Sequence, residues 1–244
     1  MKLTAFTPGG TQTFTPLLCP GYLCKNVLSV RSLLEIMDAK AAEHPGARML
    51  ATLDDAGQAF YTSGHTTDAN ELDPLPEEGD DEPPIPDFAA RRAQLRRAAE
   101  AVVLDQLRNR LWWTGEKRAS FLALQEQPDT ILDRKETYIQ AVPVDHAWET
   151  VAAFPNGYFH GDFSPMENFV LARHLEQTFG YALFGIGASY LGFRRTSPPS
   201  SERLTAMASF IIDLHAMSNE PDLHAKVRLT LEATDLLFLC YVDR

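Results

Sequence analysis

Cysteine is scarce in this sequence, and what there is does not form a framework. The 244 residues include only three, Cys19, Cys24 and Cys240, an odd count that excludes a disulfide-stapled scaffold. Cys19 and Cys24 make a C-x4-C pair, but no second Cys or His pair follows at the spacing of a four-ligand zinc site. Neither a metal nor a cofactor is therefore expected. Long hydrophobic runs are missing as well. The longest nearly apolar stretch, 181–193, holds three glycines and a serine, and it is too short to cross a hydrocarbon layer of about 30 Å as a helix. Pro8, Gly9 and Gly10 interrupt the first residues too early for a signal-peptide core. The expectation is a cytoplasmic protein with no membrane partner.

Positive charge is in short supply too. Lys and Arg number 22 against 33 Asp and Glu, a formal net charge of -11. Such a surface repels nucleic acid and attracts basic proteins, so no nucleic-acid partner is expected and a basic protein partner is favoured. Familiar catalytic signatures are also lacking. Gly185-x-Gly187 stands alone without a dinucleotide fingerprint, and Ser189 lies in Gly187-Ala188-Ser189-Tyr190-Leu191, not in a G-x-S-x-G elbow.

What is present is an ordinary globular composition, 45% hydrophobic and 23% charged, in a chain long enough to bury a core unaided. The pattern predicts a mixed helix-and-strand fold of the α+β class, with helices packed on a short, mostly antiparallel sheet. Residues 2–6 read as a strand. Val30, Leu33, Leu34, Met37 and Ala41 recur at helical spacing until Pro45-Gly46. Residues 49–53 and 58–62 read as two strands around Asp54-Asp55-Ala56-Gly57. A small N-terminal α+β region over 1–66 is thus expected, then a connector over 67–87, then a larger α+β region over 88–244, with a soft boundary. Within 68–87 there are nine acids, five prolines and no Lys or Arg, the mark of a linker or long surface loop.

Asp87 offers an N-cap for a long helix to about Trp113, apolar at Leu95, Ala99, Val102, Val103 and Leu107. Its other face would carry Arg91, Arg92, Arg96, Arg97, Arg108 and Arg110, placed to pair with the acidic segment before it. Further helices are expected at 117–125 and 164–179, and from Pro198 to about Met217. Extended segments are expected at 138–144, 181–186 and 189–193, and Asp145 would cap a short helix through Ala153. The tail 223–241 fits a helix over a longer span than it fits a strand. Trp112, Trp113 and Trp148 read as core, and Arg194-Arg195 as a solvated strand end.

One segment carries a chemical motif. His160-Gly161-Asp162-Phe163-Ser164-Pro165-Met166-Glu167-Asn168 resembles the catalytic loop of aminoglycoside-phosphotransferase-like and choline-kinase-like enzymes, H-x-D-x-x-x-x-N. The resemblance implies that Asp162 orients and deprotonates an acceptor hydroxyl while an asparagine helps hold magnesium. His160 and Asp162 match the first two positions. Asn168 lies six residues after Asp162, one more than the family spacing, and the next aspartate is Asp213. Metal-assisted hydrolysis at the same pair would draw on Asp145, His146, Glu167 or His174. The plainer reading is that Asp162 satisfies backbone donors in a turn that launches the 164–179 helix. Ser164 and Glu167 fit a capping box there, and Pro165 takes the first helical position.

The functional expectation is a non-enzymatic protein-binding module, comparable with immunity proteins that neutralise a toxin or with secretion adaptors. The alternative is an enzyme using the His160/Asp162 loop, as a degenerate kinase-like phosphotransferase or a metal-assisted hydrolase.

Overall fold

The computed structural model describes residues 2–11, 13, 15–73, 86–111, 115–133, 135–215 and 222–242. Seven strands form one mixed sheet: β1 (Lys2–Phe6), β2 (Gly21–Lys25), β3 (Arg48–Thr52), β4 (Glu136–Val142), β5 (Tyr181–Ile186), β6 (Tyr190–Arg195) and β7 (Leu236–Cys240). Their order is β1-β2-β4-β3-β5-β6-β7. Every pairing is antiparallel except β3 with β5, where Ala51 faces Gly185. The class is α+β, and strands from both ends of the sequence share the sheet. The glycine-marked irregularity in β5 falls between Leu183 and Gly185 as a register shift against β6.

Helices cover both faces, so the strands are apolar on both sides. Met49, Ala51, Ile139, Phe184 and Phe238 meet helix α1 (Val30–Ala41) through Val30, Leu33, Leu34 and Met37. Leu50, Tyr138, Leu183, Ile186, Phe193 and Leu237 belong to the opposite core. That side draws on α2 (Ala56–Ala69), α3 (Phe88–Ala99), α5 (Pro165–His174), α6 (Ser201–Leu214) and α7 (Leu223–Ala233).

Three elements differ from the sequence reading. Residues 58–62 are not a strand but part of α2. Asp55, at φ 39°, accepts from the Gln58 amide and starts the helix. The β-formers inside it are accommodated because their hydroxyls find carbonyls, as Thr67 does at Ser63 O, 2.7 Å away. Asp87 does cap α3, accepting from Ala90 N at 2.8 Å, but the helix stops at Ala99 and a short 3-10 turn (Leu104–Leu107) follows. Trp112 and Trp113 lie outside the described residues. Arg91 is buried, 1% exposed, and bonds Asp73 of the acidic segment, the pairing expected of this helix's arginines. Finally, the tail is helical only to Ala233. Arg195 donates to the carbonyls of Leu231, Glu232 and Thr234, which close α7. Leu236 to Leu239 then run buried at the sheet edge.

The capping box expected at Ser164 is present, Ser29 makes another at the start of α1, and the Ser200 side chain accepts from Arg203 N to open α6. The α5 helix continues as a π-turn (Leu175–Phe179) to Gly180 at φ 77°. The turn Ala147–Ala153 has no side-chain cap from Asp145; Trp148 N donates to Glu176 instead.

The two sheet edges are treated differently. Strand β1 is largely exposed. At β7, Gln125 of α4 (Gly115–Glu126) acts as a surrogate strand: its Nε2 donates to Phe238 O, and its Oε1 accepts from Phe238 N, both at 2.9 Å. Removing both partners from a buried peptide group costs about 2 kcal/mol or more. Gln125→Ala is therefore expected to lower the melting temperature by several degrees, roughly 5 °C, as read by thermal unfolding. An unchanged melting temperature would mean that the edge has no need of this amide.

Candidate functional site

The turn that carries His160 and Asp162 is built from the inside outward. Its foundation is a buried polar network between α2 and α5. The Thr62 hydroxyl donates to Asn156 Oδ1 at 2.5 Å, and Asn156 Nδ2 donates to Ala59 O at 2.9 Å. One turn along α2, the Thr66 hydroxyl donates to Gly157 O at 2.9 Å. From α5, Asn168 Nδ2 reaches the carbonyls of Asn156 (3.0 Å) and Phe163 (3.2 Å). These groups are essentially inaccessible to water, so each hydrogen bond offsets a desolvation cost and fixes the chain locally.

Gly157 is required at this point. Its φ is 109°, and a Cβ there would stand 1.8 Å from Phe163 O. Asp162 closes the turn: its backbone amide donates to Phe159 O at 3.0 Å, and its Oδ2 accepts from Phe159 N at 3.2 Å. Arg110 braces the underside, paired with Glu167, donating to Asp162 O and standing over the Phe163 ring.

His160 is exposed at the tip while Asp162 is 7% exposed, its carboxylate accepting from an amide of its own turn. The first amides of α5 are served by Ser164 and Glu167. The alternative ligands are dispersed among other tasks. His146 stacks on Trp148 and lies 3.7 Å from Glu176, and His174 packs on Phe179 and Phe210. Among the described residues, no group of three or more His, Cys, Asp or Glu is arranged to hold a metal ion. Cys19 and Cys24 are both buried, and burial pushes the Cys19 thiol up to about 12 against the lowering effect of Arg91.

What this scaffold presents to solvent is aromatic. Tyr61 and His65, four residues apart on one face of α2, meet edge to face at 4.3 Å between centroids. Tyr158 stacks on His65 at 5.1 Å and touches Phe159 at 5.3 Å. Tyr61, Tyr158 and Phe159 remain 45%, 41% and 39% exposed, although rings of this size are usually drawn inside. Tyr61 and the Tyr158–Phe159 pair are linked through His65, on a backbone fixed by buried hydrogen bonds. Family models, curated proteins and solved structures offer no match to this chain. The sequence reading missed the surface because 58–62 was taken for a strand. The signal was there: Tyr61-x-x-x-His65 shares a face once 56–69 is helical.

A second locus, at the end of β3, holds a perturbed acid. The Asp54 Oδ1 is buried without a hydrogen-bond partner among the described residues, and a Cβ on Gly187 would come within 1.8 Å of it. The 187–190 turn folds over the carboxyl, with Ala188 N donating to Asp54 O. Burial pushes this carboxyl up from 3.8 to about 6, against hydrogen bonds from Ser189 and nearby amides that lower it. A raised folded-state pKa means that the group's contribution to stability is complete below about pH 4 and lost as pH rises through 6. Two units correspond to about 3 kcal/mol, and partial exposure reduces this to about 1–2 kcal/mol. Asp54→Asn is expected to gain stability relative to the parent at pH 7.5 but not at pH 4. Melting curves at the two pH values check this, and an equal difference at both would refute it.

Proposed function

We propose that this protein is a non-enzymatic binding module, an inhibitor or adaptor of the immunity type, that engages a basic protein partner through Tyr61, His65, Tyr158 and Phe159. The observation that carries the reading is the exposed aromatic cluster on a rigid, hydrogen-bonded base. Large rings left in water lose free energy unless a partner covers them, and Tyr supplies contact area with little conformational entropy to lose. A net charge of -11 favours a basic partner and speeds its encounter. The engagement of Asp162 in its own turn fits a structural role for the loop better than proton transfer, and a cytoplasmic setting suits the three free thiols.

The test is co-purification from the native host with the parent chain and with Tyr61→Ala/Tyr158→Ala. A specific basic protein retained by the parent and lost from the double variant, with its far-ultraviolet spectrum unchanged, is the expected outcome. A chain that is consistently recovered alone, or a partner that ignores the double variant, would count against the proposal.

A further inference from the structure

The sheet opens at its one parallel pairing. Strands β3 and β5 pair at Ala51–Gly185 and Thr52–Ile186, so their leading halves, 48–50 and 181–184, form no ladder with each other. Strand β5 also carries an extra residue, Phe184, between its Leu183–Phe193 and Gly185–Gly192 pairs with β6, and a bulge of this kind bends its strand. A cavity of about 210 Å³ lies at this opening. Leu34, Met37, Met49 and Phe184 line it from the core beneath α1, and Ala147 and Leu183 from the opposite core. Asp38, Arg48 and Arg194 supply its charge. We infer that this slot binds a small monocarboxylic acid, its unbranched apolar tail between the strands and its carboxylate on Arg48. The site shares no residue with the aromatic surface, and it is a second function beyond partner binding.

Both halves of this ligand follow from the lining. A dry cavity of about 150 Å³ admits benzene, so this one accommodates a tail of about eight carbons. None of the lining side chains has a buried polar atom awaiting a partner, so a sugar or a nucleobase would give up its hydrogen bonds to water without replacement. The head group is set by charge. Asp38 is committed to Arg194, which donates from Nη1 to Oδ2 at 2.9 Å and from Nη2 to Oδ1 at 2.7 Å. Arg48 donates from Nε to Asp145 O at 2.8 Å and pairs with no carboxylate among the described residues. Its remaining N–H groups suit a carboxylate, which a guanidinium takes through parallel bonds. An ammonium head would meet two arginines, and a doubly charged phosphate would be repelled by Asp38.

The test titrates the full chain with hexanoate, octanoate, decanoate and dodecanoate by isothermal titration calorimetry, with octanol and octylamine as arms of fixed length. Affinity should rise about fourfold per methylene and level off once the slot is filled, before dodecanoate. Octanoate should bind about tenfold more tightly than octanol, and octylamine more weakly than either. Arg48→Met should remove the advantage of the carboxylate and keep the dependence on length. Ala182→Leu and Ala47→Leu, which fill the slot, should each abolish octanoate binding in a chain that still melts cooperatively. Leu229→Ala, on exposed α7, should leave it unchanged. Absence of binding by any acid at millimolar concentration, affinity that climbs through dodecanoate without levelling, octylamine as tight as octanoate, or octanoate binding indifferent to Arg48→Met would each overturn the assignment.

Discussion

Asp73→Ala is expected to destabilise this protein by about 3–5 kcal/mol, one of the largest losses available to a single side chain here. Its partner Arg91 is 1% exposed and, among the described residues, has Asp73 as its carboxylate, with Nε donating to Oδ1 and Nη2 to Oδ2, both at 2.6 Å. Its Nη1 is buried without a hydrogen-bond partner among the described residues. Removing Asp73 leaves a desolvated guanidinium with no countercharge among the described residues, and an arginine cannot discharge itself by losing a proton. The melting temperature should fall by about 10 °C for a chain of this size. Arg91→Met in the Asp73→Ala background should recover part of the loss, because an apolar side chain of similar volume has no charge to compensate. A cycle in which the two substitutions simply add would show that the pair is not coupled.

Gly157→Ala should be comparably severe and should also abolish binding. The backbone there sits at φ 109°, where an L side chain is strained, and the added methyl would collide with Phe163 O. Backbone strain and overpacking together amount to about 2–5 kcal/mol. Relief requires the loop to swing away from α2, breaking the Thr66 hydroxyl bond to Gly157 O and detaching Tyr158 from His65. Thermal unfolding and partner retention should therefore fail together. A Gly157→Ala chain that melts normally and still holds its partner would mean that the aromatic surface does not depend on this base.

Much of the fold was legible from local chemistry. The caps at Asp87 and Ser164 were readable because a side-chain oxygen meets an amide only three residues away. The glycine-punctuated strands β5 and β6 and the period of α1 were readable for the same reason. The elements that misled share one feature: distant contacts outweighed local preference. Residues 58–62 carry β-formers, yet the buried face of α2 is polar and is satisfied by Asn156 and Gly157, nearly a hundred residues away. Leu236 to Leu239 continue a helical period, yet Gln125 and β6 draw them into an edge strand. The pairing of Arg91 with the acidic segment was legible in the sequence, but its burial against Asp73 was set by the packing around it.

The candidate surface divides the same way. Its acidity, the turn at His160 and Asp162 and the box that launches α5 are properties of the sequence, because charge, capping and turn chemistry act over a few bonds. That Tyr61, His65, Tyr158 and Phe159 converge is a decision of the tertiary structure alone. Side chains that adjoin in space but lie far apart along the chain leave no periodic mark, and only the hydrogen bonds between α2, the loop and α5 bring them together.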